Sequence, residues 1–182
     1  QKARDPNAGY AKDFISQLTP FLKKIVDDKI KIITNAGGVN PKACADALFE
    51  LAKKQGLVLK VAIVDGDNIA GELPELVKAG VKFNNMDTGE SIAGVKDRVL
   101  AANAYFGAMP VVEALRSDPD IVLCGRVTDT GITLAAMMHE FGWRADDYDK
   151  LAHGIVAGHI IECGAQATGG LWEGAEVISV YT

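Results

Sequence analysis

The sequence predicts an α/β fold: an open, mostly parallel sheet with helices on both faces. Three observations carry this. Short apolar or β-branched runs alternate with stretches of helical periodicity, the pattern of strands joined by crossover helices. The run Ile121–Cys124 is wholly apolar, as suits a strand buried on both faces. Ile30-Lys31-Ile32-Ile33-Thr34 leads through Asn35-Ala36-Gly37-Gly38-Val39-Asn40 into Pro41, a strand that ends in a glycine turn and then a helix start.

Each element follows from its own residues. Residues 10–28 carry Phe14, Ile15, Leu18, Phe21, Leu22, Ile25 and Val26 at helical spacing. Pro20 inside that run removes an amide donor, so a kink or break is expected near Thr19. Residues 29–35 form the first strand. Residues 41–55 form a helix capped by Asn40, with Pro41 in the first turn where no donor is needed, and ended by Gly56. Residues 57–64 are the second strand, closed by Asp65-Gly66-Asp67. Residues 74–79 make a short helix stopped by Gly80, and residues 83–91 are loop. Residues 98–106 admit either a strand or an irregular approach to a site. Residues 110–116 are helical, Ile121–Cys124 is the buried strand, and residues 130–141 and Tyr148–Cys163 are helices.

Composition narrows the class. The 182 residues are 48% hydrophobic and 24% charged, ordinary for a globular chain with one core. The chain reads as a single α/β domain over 1–182. It does not begin with Met and opens just before a helix, so it is expected to be a piece of a longer chain. A net charge of -5 without a Lys/Arg stripe argues against nucleic acid as a partner. No apolar run approaches the roughly 20 residues that span a bilayer, so no membrane role is expected. The three cysteines (Cys44, Cys124, Cys163) are scattered and form no CxxC pair. That argues against a disulfide framework or a zinc site, and for a reduced, cytoplasmic setting.

In a parallel sheet, the segments 34–38, 65–67, 103–107 and 125–129 would meet at the carboxyl edge, where ligands of open α/β sheets bind. The glycine turn would leave amides free at a helix start, offering Asn35, Gly37, Gly38 and Asn40 to an anionic or carbonyl group. The bland alternative is a tight turn with no ligand. The motif is neither GxGxxG nor a phosphate loop. Arg126 follows directly on a buried strand and could grip a carboxylate or phosphate. Asp129 would hold Arg126 or cap the next helix. Asn103 and Tyr105 could hydrogen-bond substrate. Asp65 and Asp67 fit metal or hydroxyl binding, or simple turn chemistry.

In the last helix, His159 and Glu162 share a face at i, i+3, which suggests a buried pair: a general base with its orienter, two metal ligands, or a structural hydrogen bond. Gly154 and Gly158, four apart, would let another backbone approach. Cys163 would be a nucleophile only with a nearby base and a lowered pKa. Cys44 and Cys124 read as core. His139, near a helix end, reads as a cap.

A family resemblance rests on ordered segments. They are Lys2-Ala3-Arg4-Asp5-Pro6 with Gly9-Tyr10, Thr34 to Pro41, Ala102-Asn103-Ala104-Tyr105-Phe106-Gly107-Ala108, Cys124-Gly125-Arg126-Val127-Thr128-Asp129, His139-Glu140-Phe141-Gly142-Trp143, and Ala157 to Gly170. Together they resemble the N-terminal domain of the acyclic terpene utilisation protein family up to Gly170, and Leu171-Trp172-Glu173-Gly174-Ala175 departs from it. The resemblance implies a glycine-rich segment before this chain and further chain after it. It also implies a role in catabolism of citronellol- and geraniol-type acids carried as coenzyme A thioesters.

The reading is an enzyme or enzyme component acting on a branched acyl-CoA thioester or carboxylate, by a hydratase, lyase or hydrolase step. His159 and Glu162 are its catalytic candidates. Asn35, Gly37, Gly38, Asn40, Asn103, Tyr105, Arg126 and Asp129 are its substrate-binding candidates. No cofactor motif is recognised, coenzyme A enters only as the substrate's carrier, and no metal ligands are assigned. The partner is a small acyl molecule, and a homo-oligomer is expected. The alternative is a non-catalytic subunit or assembly partner of an acyl-CoA-processing complex, with the Ala- and Gly-rich helix 151–167 as its interface.

Overall fold

The computed structural model describes Asp5 and residues 7–168. The resemblance segments Lys2-Ala3-Arg4, Pro6 and Gly169-Gly170, and the departure at 171–175, lie outside these residues. The first helical run is broken as Pro20 requires, into α1 (Lys12–Leu18) and α2 (Leu22–Asp27). There follow β1 (Ile32–Thr34), α3 (Pro41–Lys54), β2 (Val61–Val64), α4 (Leu73–Lys78), α5 (Met109–Leu115), β3 (Ile121–Cys124), α6 (Gly131–Glu140) and α7 (Tyr148–Cys163).

The sheet among these residues has three strands in the order β1-β3-β2, and both pairings are parallel. Ile32 to Thr34 stand opposite Ile121 to Leu123, and Val61 to Val64 opposite Ile121 to Cys124. Strands β1 and β2 are shorter than the apolar runs that announce them. Residues 98–106 form no strand; they contribute a 3-10 turn at Lys96–Arg98 and isolated bridges at Asn103 and Phe106.

The core explains why β3 is apolar throughout. Side chains of a strand alternate between faces. Ile121 and Leu123 join α1, α2 and α3 through Leu22, Ile25, Leu48, Cys44 and Ala45. Val122 and Cys124 join α5 and α6 through Val111, Val112, Leu134 and Ala135. Helices thus cover both faces, and every residue of β3 is buried. The α3 cap is Asn40, whose Oδ1 accepts from the Ala43 amide at 3.4 Å, and Pro41 opens the helix. Cys44 and Cys124 are core residues; burial pushes their thiols up to about 11 and about 12, with the Asp67 carboxylate adding to the rise at Cys124. Among the described residues, no helix is long and apolar enough to cross a membrane.

Leu48 on α3 is fully buried, whereas Val58 is 89% exposed. Leu48→Ala should therefore lower unfolding free energy by about 2–5 kcal/mol in a denaturant titration, and Val58→Ala by no more than about 0.5 kcal/mol.

Candidate functional site at the carboxyl rim

Because all three strands run the same way, the chain leaves Thr34, Val64 and Cys124 at one rim. The segment 102–106 is stitched between two of these exits. Ala104 N donates to Asp67 O at 2.7 Å and Ile69 N to Ala102 O at 2.9 Å. On its far side Phe106 N donates to Arg126 O at 3.2 Å and Thr128 N to Phe106 O at 2.8 Å. The four segments that the sequence nominates therefore do meet at one edge.

Asp67 lies beneath them, 1% exposed. Its Oδ2 accepts from the Arg126 amide at 3.0 Å and from Asn103 Nδ2 at 2.8 Å. A buried carboxylate is tolerable only when so bonded. Gly125 makes the approach feasible, since a Cβ there would collide with the Asp67 carboxylate. Asp67 is the residue that sequence reasoning undervalued. Asp-Gly-Asp reads as turn chemistry, and only its burial separates it from Asp65, which is exposed and bonds the next amide, Gly66 N, at 2.7 Å.

Above Asp67, the Arg126 guanidinium donates to Tyr105 Oη at 2.7 Å and lies 4.8 Å from the Tyr105 ring centroid. Among the described residues no ion pair joins Arg126 to Asp129, and Thr130, not Asp129, is the N-cap of α6. Arg126 is thus braced by an aromatic alcohol and face, which orient the cation without neutralising it.

Beside this pair is an open cleft of about 290 Å³ lined by Tyr105, Thr128, Asp129, Thr130 and His159. The sequence explains how α7 reaches it. Gly158 faces Thr130, where an added Cβ would come within 3.0 Å, so the helix backbone lies against the start of α6 and sets the next residue, His159, at the cleft. Gly154 makes a similar approach to Leu134 and Trp143.

Other expectations change. His159 and Glu162 are not a buried pair: both are exposed, and the Glu162 carboxylate accepts from Cys163 Sγ at 2.9 Å. That bond, burial, and the charges of Glu162 and Asp129 all push the Cys163 thiol upward, the opposite of an activated nucleophile. Nor are the amides of Gly38, Val39 and Asn40 free. Gly38 N donates to Asn35 O, Val39 N to Gly9 O and Asn40 N to Gly37 O, at 3.1, 2.8 and 2.9 Å. Asn40 Nδ2 donates to Ala8 O at 2.9 Å, and residues 8–11 cover the turn. Gly38 has φ 55° and its α-carbon faces Gly9 O, so a side chain is excluded on both counts. Gly37 is likewise pressed against Cys124 O. The structure thus separates Asn35, Gly37, Gly38 and Asn40, a turn closed by the chain itself, from Tyr105, Arg126, Asp129 and His159 around the cleft, with Asn103 below. Among the described residues, no cluster of three or more His, Cys, Asp or Glu could hold a metal ion.

A family model described as Acyclic terpene utilisation family protein AtuA matches residues 1–181, well past Gly170 where the segment-by-segment resemblance stops. No curated protein and no solved structure matches the chain.

Two outcomes are expected here. Asp67→Ala leaves two donors without their acceptor, each worth about 1–3 kcal/mol; a denaturant titration should show a loss of at least about 2 kcal/mol. Since a raised pKa means less thiolate at a given pH, Cys163 should alkylate slowly with iodoacetamide at pH 8. Glu162→Gln should shift its pH–rate profile to lower pH.

Proposed function

Because this chain belongs to the acyclic terpene utilisation AtuA family, we propose that it acts on a branched acyl group presented as a carboxylate or coenzyme A thioester, in the breakdown of acyclic terpenoid acids. The observation that carries the reading is Arg126: a guanidinium held on the Tyr105 ring and hydroxyl, anchored through its own backbone to buried Asp67, at the rim of a parallel sheet. A planar cation fixed this way suits bidentate capture of a carboxylate or phosphate.

The residues around the cleft supply the rest. His159 brings to the cleft an imidazole, a general acid/base group. Asp129 lines the same cleft and is an acidic candidate for such a transfer. Glu162, three residues along α7, is engaged with Cys163 Sγ. Thr128, Thr130 and Tyr105 offer hydroxyls to a carbonyl or hydroxyl oxygen. Asn103 positions, since its amide is engaged by Asp67. Addition or removal of water across an acyl chain, carbon–carbon cleavage next to a carbonyl, or thioester hydrolysis all draw on this set: a cation for the anionic end, and an acid/base at the reacting carbon.

The second reading, a non-catalytic assembly partner, has its own support. Ile155, Val156, Ile160 and Ile161 of α7 are exposed at 40, 59, 59 and 61%. Exposed apolar side chains gathered on one helix are a feature of contact with another protein.

Titration of citronellic acid and its coenzyme A thioester into purified full-length protein separates the readings. Binding to the wild type, with Arg126→Ala weaker by roughly 10- to 100-fold and an unchanged circular dichroism spectrum, supports the first. Turnover of either compound counts against a purely assembling role. Undiminished affinity in Arg126→Ala removes Arg126 from the site. Disruption of the apolar α7 surface, for which Ile160→Asp serves, supports the second if it changes only the elution volume on size exclusion.

A further inference from the structure

We infer that Tyr105 is a catalytic residue: its hydroxyl, backed by Arg126, donates to the carbonyl oxygen of the substrate while His159 takes a proton from the carbon next to that carbonyl. The inference deepens the carboxylate or thioester reading and rests on it. It selects the thioester, whose neighbouring carbon gives up a proton far more readily than that of a carboxylate.

The direction of one hydrogen bond carries the argument. In the 2.7 Å bond between the two side chains, the Arg126 guanidinium donates and Tyr105 Oη accepts. A guanidinium has no acceptor, so the phenol hydrogen cannot lie on that bond. Among the described residues Tyr105 Oη has no second partner. Tyr105 lines the cleft of about 290 Å³, so its O–H is left for an acceptor on a ligand there. A hydroxyl that accepts from a cation is polarised and donates more strongly. Thr128 and Thr130 line the same cleft, but among the described residues neither hydroxyl accepts from a cation. The donor is also preorganised, although Tyr105 is 54% exposed. Ala104 N donates to Asp67 O at 2.7 Å and Phe106 N to Arg126 O at 3.2 Å, which holds the backbone on either side of Tyr105. The guanidinium, 4.8 Å from the ring centroid, holds the ring. A donor fixed in advance needs no reorientation as charge develops on the oxygen it meets.

His159 supplies the base from α7. It lines the same cleft and is exposed, and the neutral ring has a nitrogen that accepts a proton. In the step, the bond between hydrogen and the carbon next to the carbonyl breaks. Its electron pair forms the carbon–carbon double bond of an enolate as the carbonyl π pair moves onto oxygen, against the Tyr105 O–H. The proton goes to a ring nitrogen of His159. The step is reversible, and the exposed imidazolium exchanges its proton with solvent. Addition or loss of water beside the carbonyl and cleavage of the adjacent carbon–carbon bond share this enolate.

The test incubates the full-length protein in D2O with the coenzyme A thioester titrated above and follows deuterium by mass spectrometry. The wild type should incorporate deuterium at the carbon next to the carbonyl. Tyr105→Phe keeps the ring under the guanidinium and removes only the hydroxyl. At saturating thioester it should slow exchange by about 100-fold or more, with little change in affinity and the same circular dichroism spectrum. His159→Gln should also slow exchange by about 100-fold or more. In the Tyr105→Phe background, Arg126→Ala should lower the saturated rate no further, because the guanidinium then has no hydroxyl to polarise. Exchange as fast in Tyr105→Phe or in His159→Gln as in the wild type overturns the inference. So does a thioester that binds the wild type without exchange, which leaves the binding reading standing. A loss from Arg126→Ala as large in the Tyr105→Phe background as in the wild type overturns the backing role of Arg126. A thioester that does not bind overturns the inference together with the reading it rests on.

Discussion

The carboxylate of Asp67 is buried under the rim of the sheet, and the loops that build the candidate site are tied to it. A charged group removed from water costs several kcal/mol unless hydrogen bonds replace its hydration. Asp67 obtains them from the Arg126 amide and the Asn103 side chain, and among the described residues no buried side-chain polar atom lacks a partner. The constraint runs both ways. The loops satisfy the carboxylate, and the carboxylate fixes where the loops can go. It holds the segment after β3 against the segment before α5, so Tyr105 and Arg126, 21 residues apart in sequence, meet at 2.7 Å. Gly125 is part of the same device, because any side chain there would occupy the place of the carboxylate.

The sheet makes this convergence available. With β3 between β1 and β2 and all three parallel, the carboxyl ends of the strands share one rim. The alternation of β3 between an α1–α3 face and an α5–α6 face buries it on both sides and fixes its register. A slip by one residue would exchange the two sets of contacts. The rim is therefore a rigid platform, and Gly158 brings a further helix to it by backbone contact with Thr130.

Chemically, the rim is divided. The glycine turn before α3 is closed by its own carbonyls, Asn35 O and Gly37 O, and by Gly9 O and Ala8 O, which accept from the Val39 amide and the Asn40 side chain, and it serves as a structural joint. The cleft on the other side mixes a carboxylate at Asp129, three hydroxyls and an imidazole, and one of those hydroxyls, Tyr105 Oη, accepts from the Arg126 guanidinium beside it. Cys163 stands apart from this chemistry, because its bond to Glu162 favours the protonated thiol.

Local signals were sufficient for much of this. The parallel α/β class, the bounds of β3 and α7, the break at Pro20 and the Asn40 cap are legible because each depends on a few neighbouring residues: an apolar run, a missing donor, a side-chain acceptor. So is the family, because ordered segments across the chain repeat its pattern. The partners of polar groups are not legible in this way. Whether the Val39 amide faces a ligand or Gly9 O depends on where residues 8–11 pack. Whether Arg126 pairs with Asp129 or Tyr105, and whether Asp67 is a turn residue or a buried anchor, depends on contacts 21 and 59 residues away in sequence. Hydrogen bonds and burial are properties of assembled surfaces. The sequence therefore determined which segments end at the rim, and only the tertiary structure decided which of their polar groups are consumed there and which line the open cleft.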